Sequence, residues 1–152
     1  MLVEDFLMRL DSAPQRLART SYRDEFDLLA HDASRMIEGN FVREEDSDGN
    51  HWAPHAPATI AKHGVHDLLR LTGAMYAAAI NPDDLRAVKE LDDRGVTFGV
   101  SGTDIPYADI QNEGGGRIPQ REYMYLRDQD REAVVELFQR RAAGRFWEAI
   151  LG

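Results

Sequence analysis

The chain has 152 residues, of which 43% are apolar and 30% charged, and it contains no cysteine. These values fit one globular domain able to bury its own core, and they exclude a disordered chain, a disulfide scaffold and cysteine-ligated zinc. Acidic residues outnumber basic ones 27 to 18, and the net charge of −9 argues against a surface that coats nucleic acid.

No apolar run approaches the roughly 18–20 residues of a membrane span. Met1-Leu2-Val3-Glu4-Asp5 lacks the basic start and apolar stretch of a signal peptide, so folding in the cytoplasm is expected. Only two cations are lysines, Lys62 and Lys89; the rest are arginines. Arginine makes planar, bidentate pairs with carboxylates, which suits protein–protein ion pairs. A GC-rich coding sequence explains the same bias.

Residues 2–10 carry a short apolar face (Leu2, Val3, Phe6, Leu7, Leu10), which Ser12-Ala13-Pro14 breaks. A long helix is predicted over residues 15–45. Tyr22, Phe26, Leu29, Ala30, Ala33, Met36, Ile37 and Phe41 recur at helical spacing. Arg23, Asp24, Asp27, Asp32, Arg35 and Glu38 form its polar face, and Gly39-Asn40 is a point where it could end early. Asp48-Gly49-Asn50 is a turn signal, and His51 to Pro57 is proline-punctuated and irregular. A short helix is expected from Pro57 or Ala58 to Lys62, and an amphipathic helical stretch over residues 67–80.

The period then changes. Residues 85–91 read as a weak strand and residues 95–100 as a better one, with a hairpin turn at Asp92-Asp93-Arg94-Gly95 between them. A short helix is expected over 105–112, a flexible glycine loop over 113–117, and a third strand over 121–126. A last helix is predicted from Asp128, with Asp128 or Asp130 capping its start, and carries Val134, Leu137, Phe138, Phe146, Trp147, Ile150 and Leu151; Gly144 is a candidate kink or break. The predicted class is α+β: a long N-terminal helix and further helices on a small antiparallel sheet, in one domain over residues 1–152.

Four stretches, in order, carry a family likeness. They are Asp48-Gly49-Asn50-His51-Trp52-Ala53-Pro54 with Thr59 following, Leu69-Arg70-Leu71-Thr72-Gly73-Ala74-Met75, Tyr107-Ala108-Asp109-Ile110-Gln111-Asn112-Glu113-Gly114, and Ile118-Pro119-Gln120-Arg121-Glu122-Tyr123-Met124. Together they resemble the virion-morphogenesis, or tail-completion, family of Mu-like and related contractile-tailed phages, over about residues 30–140. Ser47 stands where that family commonly has proline, and Gln111 where it commonly has histidine.

The resemblance implies a structural protein of the virion neck or tail and not an enzyme. Such a protein joins tail to head or caps the tail tube by forming a ring of its own copies. The implied partners are itself and other neck, connector and tail proteins. DNA would pass through without specific binding, and neither a membrane nor a cofactor is involved. The implied location is the virion, with assembly in the host cytoplasm. The motif positions expected to set the fold or make assembly contacts are Gly49, Trp52, Pro54, Thr59, Leu69, Thr72, Gly73, Tyr107, Ala108, Gly114, Pro119 and Arg121.

The residues themselves support packing roles. Trp52 is a bulky anchor whose indole N–H needs a partner. Thr72-Gly73 suits a close approach of two backbones. Tyr107-Ala108 sets a ring beside a small residue, while Pro119 and Arg121 fix the end of the glycine loop.

Histidine carries the rival reading, a metal-binding module or metal-dependent hydrolase built on residues 51–66. His51 and His55 lie four apart, and His63 and His66 three apart, a spacing that suits one metal only on a helix. Pro54, Pro57 and Gly64 interrupt both pairs, so polar, partly exposed histidines are the plainer expectation. Asp46, Asp48 and Asn50 alternate like calcium ligands, but the loop lacks its later glycine and closing glutamate, and an Asx-rich turn is expected. Gly114-Gly115-Gly116-Arg117 leads into Ile118-Pro119 and not into the Gly-Lys-Ser/Thr of a phosphate loop. The acidic pairs fall in turns or on polar faces, and no serine sits in a Gly-x-Ser-x-Gly elbow.

Overall fold

A computed structural model of the protein describes residues 15 and 19–151; the apolar face of residues 2–10 and the break at 12–14 lie outside the described residues. Helix α1 spans Arg23–Arg43, α2 Pro57–His63 and α3 Ala74–Ile80; strands β1 (Ala87–Leu91) and β2 (Val96–Val100) follow, then helices α4 (Ala108–Glu113) and α5 (Asp128–Leu151). The fold is α+β, with the long helix α1 near the start of the chain and a two-stranded antiparallel sheet.

Helix α1 is the spine. Ala30, Ala33, Ile37 and Phe41 are buried along one stripe, as the 3.6-residue period requires. Asn40 does not end the helix. It is fully buried, and its Nδ2 donates to the Tyr123 and Tyr125 carbonyls at 3.0 and 2.9 Å. The helix ends at Glu44, whose left-handed φ of 53° turns the chain while its N–H closes onto the Asn40 carbonyl.

Helix α5 crosses the start of α1. Phe26 stacks on Phe138 with ring centroids 4.6 Å apart, and Tyr22 meets the same ring at 6.1 Å. Arg145 Nε donates to Glu25 at 2.8 Å and its Nη2 to Asp24 at 2.7 Å, while Arg141 reaches Asp32 at 2.6 Å. The arginines of this contact pair within the chain, so the polar face expected for α1 is partly covered. Asp130 accepts from the Arg127 side chain and backbone in the first turn of α5, and the helix continues through Gly144 without a break.

The sheet is one hairpin in the register Ala87↔Val100, Lys89↔Phe98 and Leu91↔Val96. Asp92 closes its four-residue turn by accepting from the Arg94 and Gly95 N–H groups. Phe98, Val100 and Ala87 face the core, so the period of two is real.

The predicted third strand is absent. Residues 121–126 do alternate buried and half-buried, but no strand pairs with them. Two side-chain amides take the place of a partner. Asn40 donates to two carbonyls of the segment, and Asn112 Oδ1 accepts from the Tyr123 and Met124 N–H groups, both at 3.0 Å. The extended backbone is thus satisfied without a ladder. The amphipathic stretch at 67–80 also shortens: turns occupy residues up to 73, and helix begins at Ala74.

The core joins α1, α3, the hairpin and these extended segments. It consists of Ile37, Phe41, Trp52, Leu68, Met75, Ala78, Ala79, Ile105, Ala108 and Tyr123. Phe41 lies at its centre, edge-on to Trp52 and Tyr76 at 5.8 and 5.1 Å. Among the described residues no helix is long and apolar enough to cross a membrane.

Candidate functional site

The motif positions divide into three groups. Trp52 and Ala108 are core residues, 5% and 1% exposed. The Trp52 indole N–H donates to the Glu122 carbonyl at 3.1 Å, which pins the loop after α1 onto the extended segment.

Gly49, Gly73 and Gly114 set turns. A side chain at Gly73 would meet nothing within 4 Å, so the expected close approach of backbones does not occur there; its φ of +73° is what the turn into α3 requires. The close approach occurs at Gly114, where a Cβ would lie 2.9 Å from the Gln120 backbone nitrogen. Gly49 sits in the Asx turn, in which Asp46 accepts from the Asp48 and Asn50 N–H groups. Burial raises the Asp46 pKa, but these hydrogen bonds, chiefly from Asn50, outweigh it and hold the carboxyl below the usual carboxylate range. The Asx turn expected in place of a calcium loop is therefore present.

The remaining positions meet. Pro54, Thr59, Leu69, Thr72, Tyr107, Pro119 and Arg121 all line one groove of about 530 Å³. Residues more than sixty apart in the chain are brought to one surface, and each of the four stretches singled out in the sequence contributes to it. The rest of the wall is His55, Ala56, His66, Leu71, Met75, Gln111, Arg117 and Ile118. Leu69 holds a left-handed φ of 62°, which costs about 1–2 kcal/mol for a residue with a Cβ. It packs against the core while lining the groove.

Arg121 organises the floor. It is 7% exposed and ties three segments together. Its Nε donates to the Ala53 carbonyl at 2.9 Å, Nη2 to the Pro54 carbonyl at 3.1 Å and Nη1 to Gln111 Oε1 at 3.3 Å, while its backbone N–H donates to the Gln111 carbonyl at 2.8 Å. All of these acceptors are neutral. Burial lowers the Arg121 pKa, with the charge of Glu44 acting the other way. The guanidinium nonetheless keeps its proton.

The glycine loop expected to be flexible is a hydrogen-bonded turn. The Gly115 and Ile118 N–H groups each donate to the other residue's carbonyl, at 3.0 and 2.9 Å. Pro119 follows the turn and lines the groove, and the Arg121 bonds tether what comes after it.

The histidines do not pair as their spacing suggested. His55 lies against His66 with the rings tilted by 37° and their centroids 4.2 Å apart, and the His55 Nε2 lies 3.1 Å from the His66 carbonyl. His51 is exposed beside Glu45, and His63 is exposed at the end of α2. A group with metal-ligand spacing lies elsewhere among the described residues: Asp27, His31 and Asp83. The Lys89 ammonium occupies that position. It donates to Asp27 at 2.8 Å and pairs closely with Asp83, and both contacts raise its pKa, Asp27 most. The cluster is an ion-pair network binding α1 to the hairpin. Its residues are too far apart in sequence for spacing alone to find it.

Sequence reasoning also missed Arg117, Ile118, Leu71 and the His55–His66 ring contact as parts of one wall. The signal available was exposure of apolar side chains next to arginines, which only the fold makes visible. As an arrangement, the groove offers apolar walls, guanidinium and imidazole groups, and a floor fixed by buried hydrogen bonds. Comparison with family models, with curated proteins and with solved structures returned no match.

Proposed function

We propose that the chain is a structural component of a tailed-phage virion, of the neck or tail-completion type. It would join tail to head, or cap the tail tube, as a ring of its own copies. The observation that carries the reading is the convergence of the four motif stretches on one groove. Residues that share no helix face or strand in sequence form a single surface, built on a core of Trp52, Phe41 and Tyr123. Rigid concave surfaces with apolar walls and a few fixed polar groups serve binding.

Assembly uses buried apolar anchors and complementary charge, and the chain offers both. Leu71, Tyr107 and Ile118 are exposed at the groove, and the net charge of −9 suits a lumen through which DNA slides without sticking.

Deleting the gene from the phage genome that carries it tests the reading. The expected result is separate heads and tails in the lysate by electron microscopy, with the chain present at ring stoichiometry in normal purified virions. Intact infectious virions without the chain would overturn it.

A further inference from the structure

We propose that the groove receives the end of helix α5 from a second copy, with Phe146-Trp147-Glu148 as the entering element. The inference rests on the reading of the chain as an assembling protein and names the surface that the groove engages.

Charge gives the first argument. The chain carries 27 acidic residues, yet no aspartate or glutamate lines the groove, whose basic side chains are Arg117, Arg121, His55 and His66. Arg117 is exposed at the groove and, among the described residues, forms no ion pair within 4 Å, whereas Arg121 is buried against neutral acceptors and already feels the charge of Glu44. An unpaired cation on an apolar wall favours an occupant that brings an anion.

The end of α5 has the matching chemistry. Phe146 and Trp147 are 38% and 55% exposed, and their rings hold each other edge-to-face at 5.4 Å. An exposed aromatic pair already set in one geometry loses little freedom on docking, and aromatic residues and arginine dominate the energetic centres of interfaces. Glu148 follows directly. The neighbouring cation, Arg145, is committed to Asp24 and Glu25. The Glu148 side chain is exposed and acts on Arg145 through charge alone, with no side-chain hydrogen bond or ion pair within 4 Å among the described residues, so its carboxylate can turn to Arg117 at the groove rim.

Placement gives the third argument. Arg145 clamps α5 to the first turn of α1. The groove lies beyond the other end of α1, where Phe41 meets Trp52 and Arg121 holds Ala53 and Pro54. The 21 residues of α1 span about 31 Å between them. Each copy therefore presents an entering end and a receiving groove at separate places. Such a contact is heterologous, and repeating it closes a ring or extends a filament.

The test measures the mass of the full-length chain by light scattering and native mass spectrometry, up to about 100 μM so that micromolar contacts are populated. Wild type is expected to form species larger than a dimer. Trp147→Glu and Arg117→Glu should each raise the dissociation constant at least tenfold while circular dichroism stays unchanged. Mixing the two variants should give dimers only, because each retains one intact half. The double variant Arg117→Glu/Glu148→Arg should regain association relative to Arg117→Glu alone.

A monomeric wild type, oligomers indifferent to both variants, or a mixture that stays monomeric would overturn the inference. A different protein captured by the groove in place of a second copy would overturn it too. Any of these leaves the virion reading to its own gene-deletion test. Normal virions without the chain would sink that reading even if the copies still associate end to groove.

Discussion

The two halves of this molecule are held together by different physics. Where α5 crosses α1, contact is made by rings and by ion pairs between side chains: Phe138 on Phe26, Arg141 on Asp32, and Arg145 on Asp24 and Glu25. Around the groove, irregular backbone is held by a few buried or half-buried side chains that bond main-chain groups. Asn40, Asn112, Trp52 and Arg121 are those side chains. Exposed ion pairs are screened and worth about 0–1 kcal/mol each, so the helix crossing should tolerate losing its exposed pair, Arg145 with Asp24. Buried donors and acceptors without partners cost about 1–3 kcal/mol each, so the groove half should not.

Trp52→Ala attacks the second half most directly. It removes a buried indole from beside Phe41 and orphans the Glu122 carbonyl. A loss of about 3–5 kcal/mol is expected from large-to-small changes of this kind, a large share of the ~5–15 kcal/mol a domain has. Urea unfolding with circular dichroism checks it. A matched change in the first half, Asp24→Asn, should cost far less, since that carboxylate is 77% exposed and its pair with Arg145 is screened by solvent. Equal losses would erase the contrast.

Asn40→Ala ranks next. It leaves the Tyr123 and Tyr125 carbonyls without the amide that stands in for a strand, and about 2–3 kcal/mol should be lost. Amide exchange would sharpen the point: protection should fall at Tyr123 and Met124 and persist in the hairpin. Uniform loss of protection would mean that Asn40 holds the whole fold and not the groove half.

Legibility in the sequence divides along the same line. The α1 stripe, the turn at Asp92-Gly95 and the Phe98 face of the hairpin follow from period and turn chemistry, which act over a few residues. The groove half follows from contacts such as Asn40 to Tyr125, 85 residues apart, which no local pattern encodes. Asn40 reads as a helix weakness because asparagine is a poor helix former; burial with three hydrogen-bonding partners reverses that. Residues 121–126 read as a strand because they alternate, and alternation reports two faces without reporting what supplies the hydrogen bonds. The motif residues were nameable from sequence, but their meeting in one groove was not, because Pro54, Thr72, Tyr107 and Arg121 come from four separate segments.

Gly114→Ala tests whether the glycine turn belongs to the rigid half. Its φ is +75°, and a Cβ there would meet the Gln120 backbone at 2.9–3.1 Å. A loss of about 1–3 kcal/mol is expected from the strained φ and the backbone shift together. Gly73→Ala has the strained φ alone, with open space around the Cβ, so its loss should be smaller by thermal melting. If Gly73→Ala proves the worse of the two, close packing at Gly114 is not what fixes the turn.

The smallest expected effect concerns acid. Asp84 accepts from the Arg86 backbone at 2.9 Å and from its guanidinium at 2.9 and 2.8 Å, which fixes the entry to β1. The Arg86 side-chain hydrogen bonds lower the Asp84 pKa from 3.8 to about 2, with the Arg86 backbone bond adding to them and burial opposing. A carboxyl held lower when folded than when unfolded stabilises the fold at pH values above its unfolded pKa. That contribution fades as pH falls from about 4 through about 2. Asp84→Asn has no charge to lose there. Its deficit relative to wild type should be constant from pH 8 to pH 5 and shrink between pH 4 and pH 2, measured by urea midpoints across the range. The Arg86 guanidinium is substantially exposed, so the pair belongs with the surface contacts of the helix crossing in size although it lies near the core. A deficit that stays constant down to pH 2 would assign the role of Asp84 to its hydrogen-bonding shape and not to its charge, because asparagine keeps one acceptor oxygen while losing the anion.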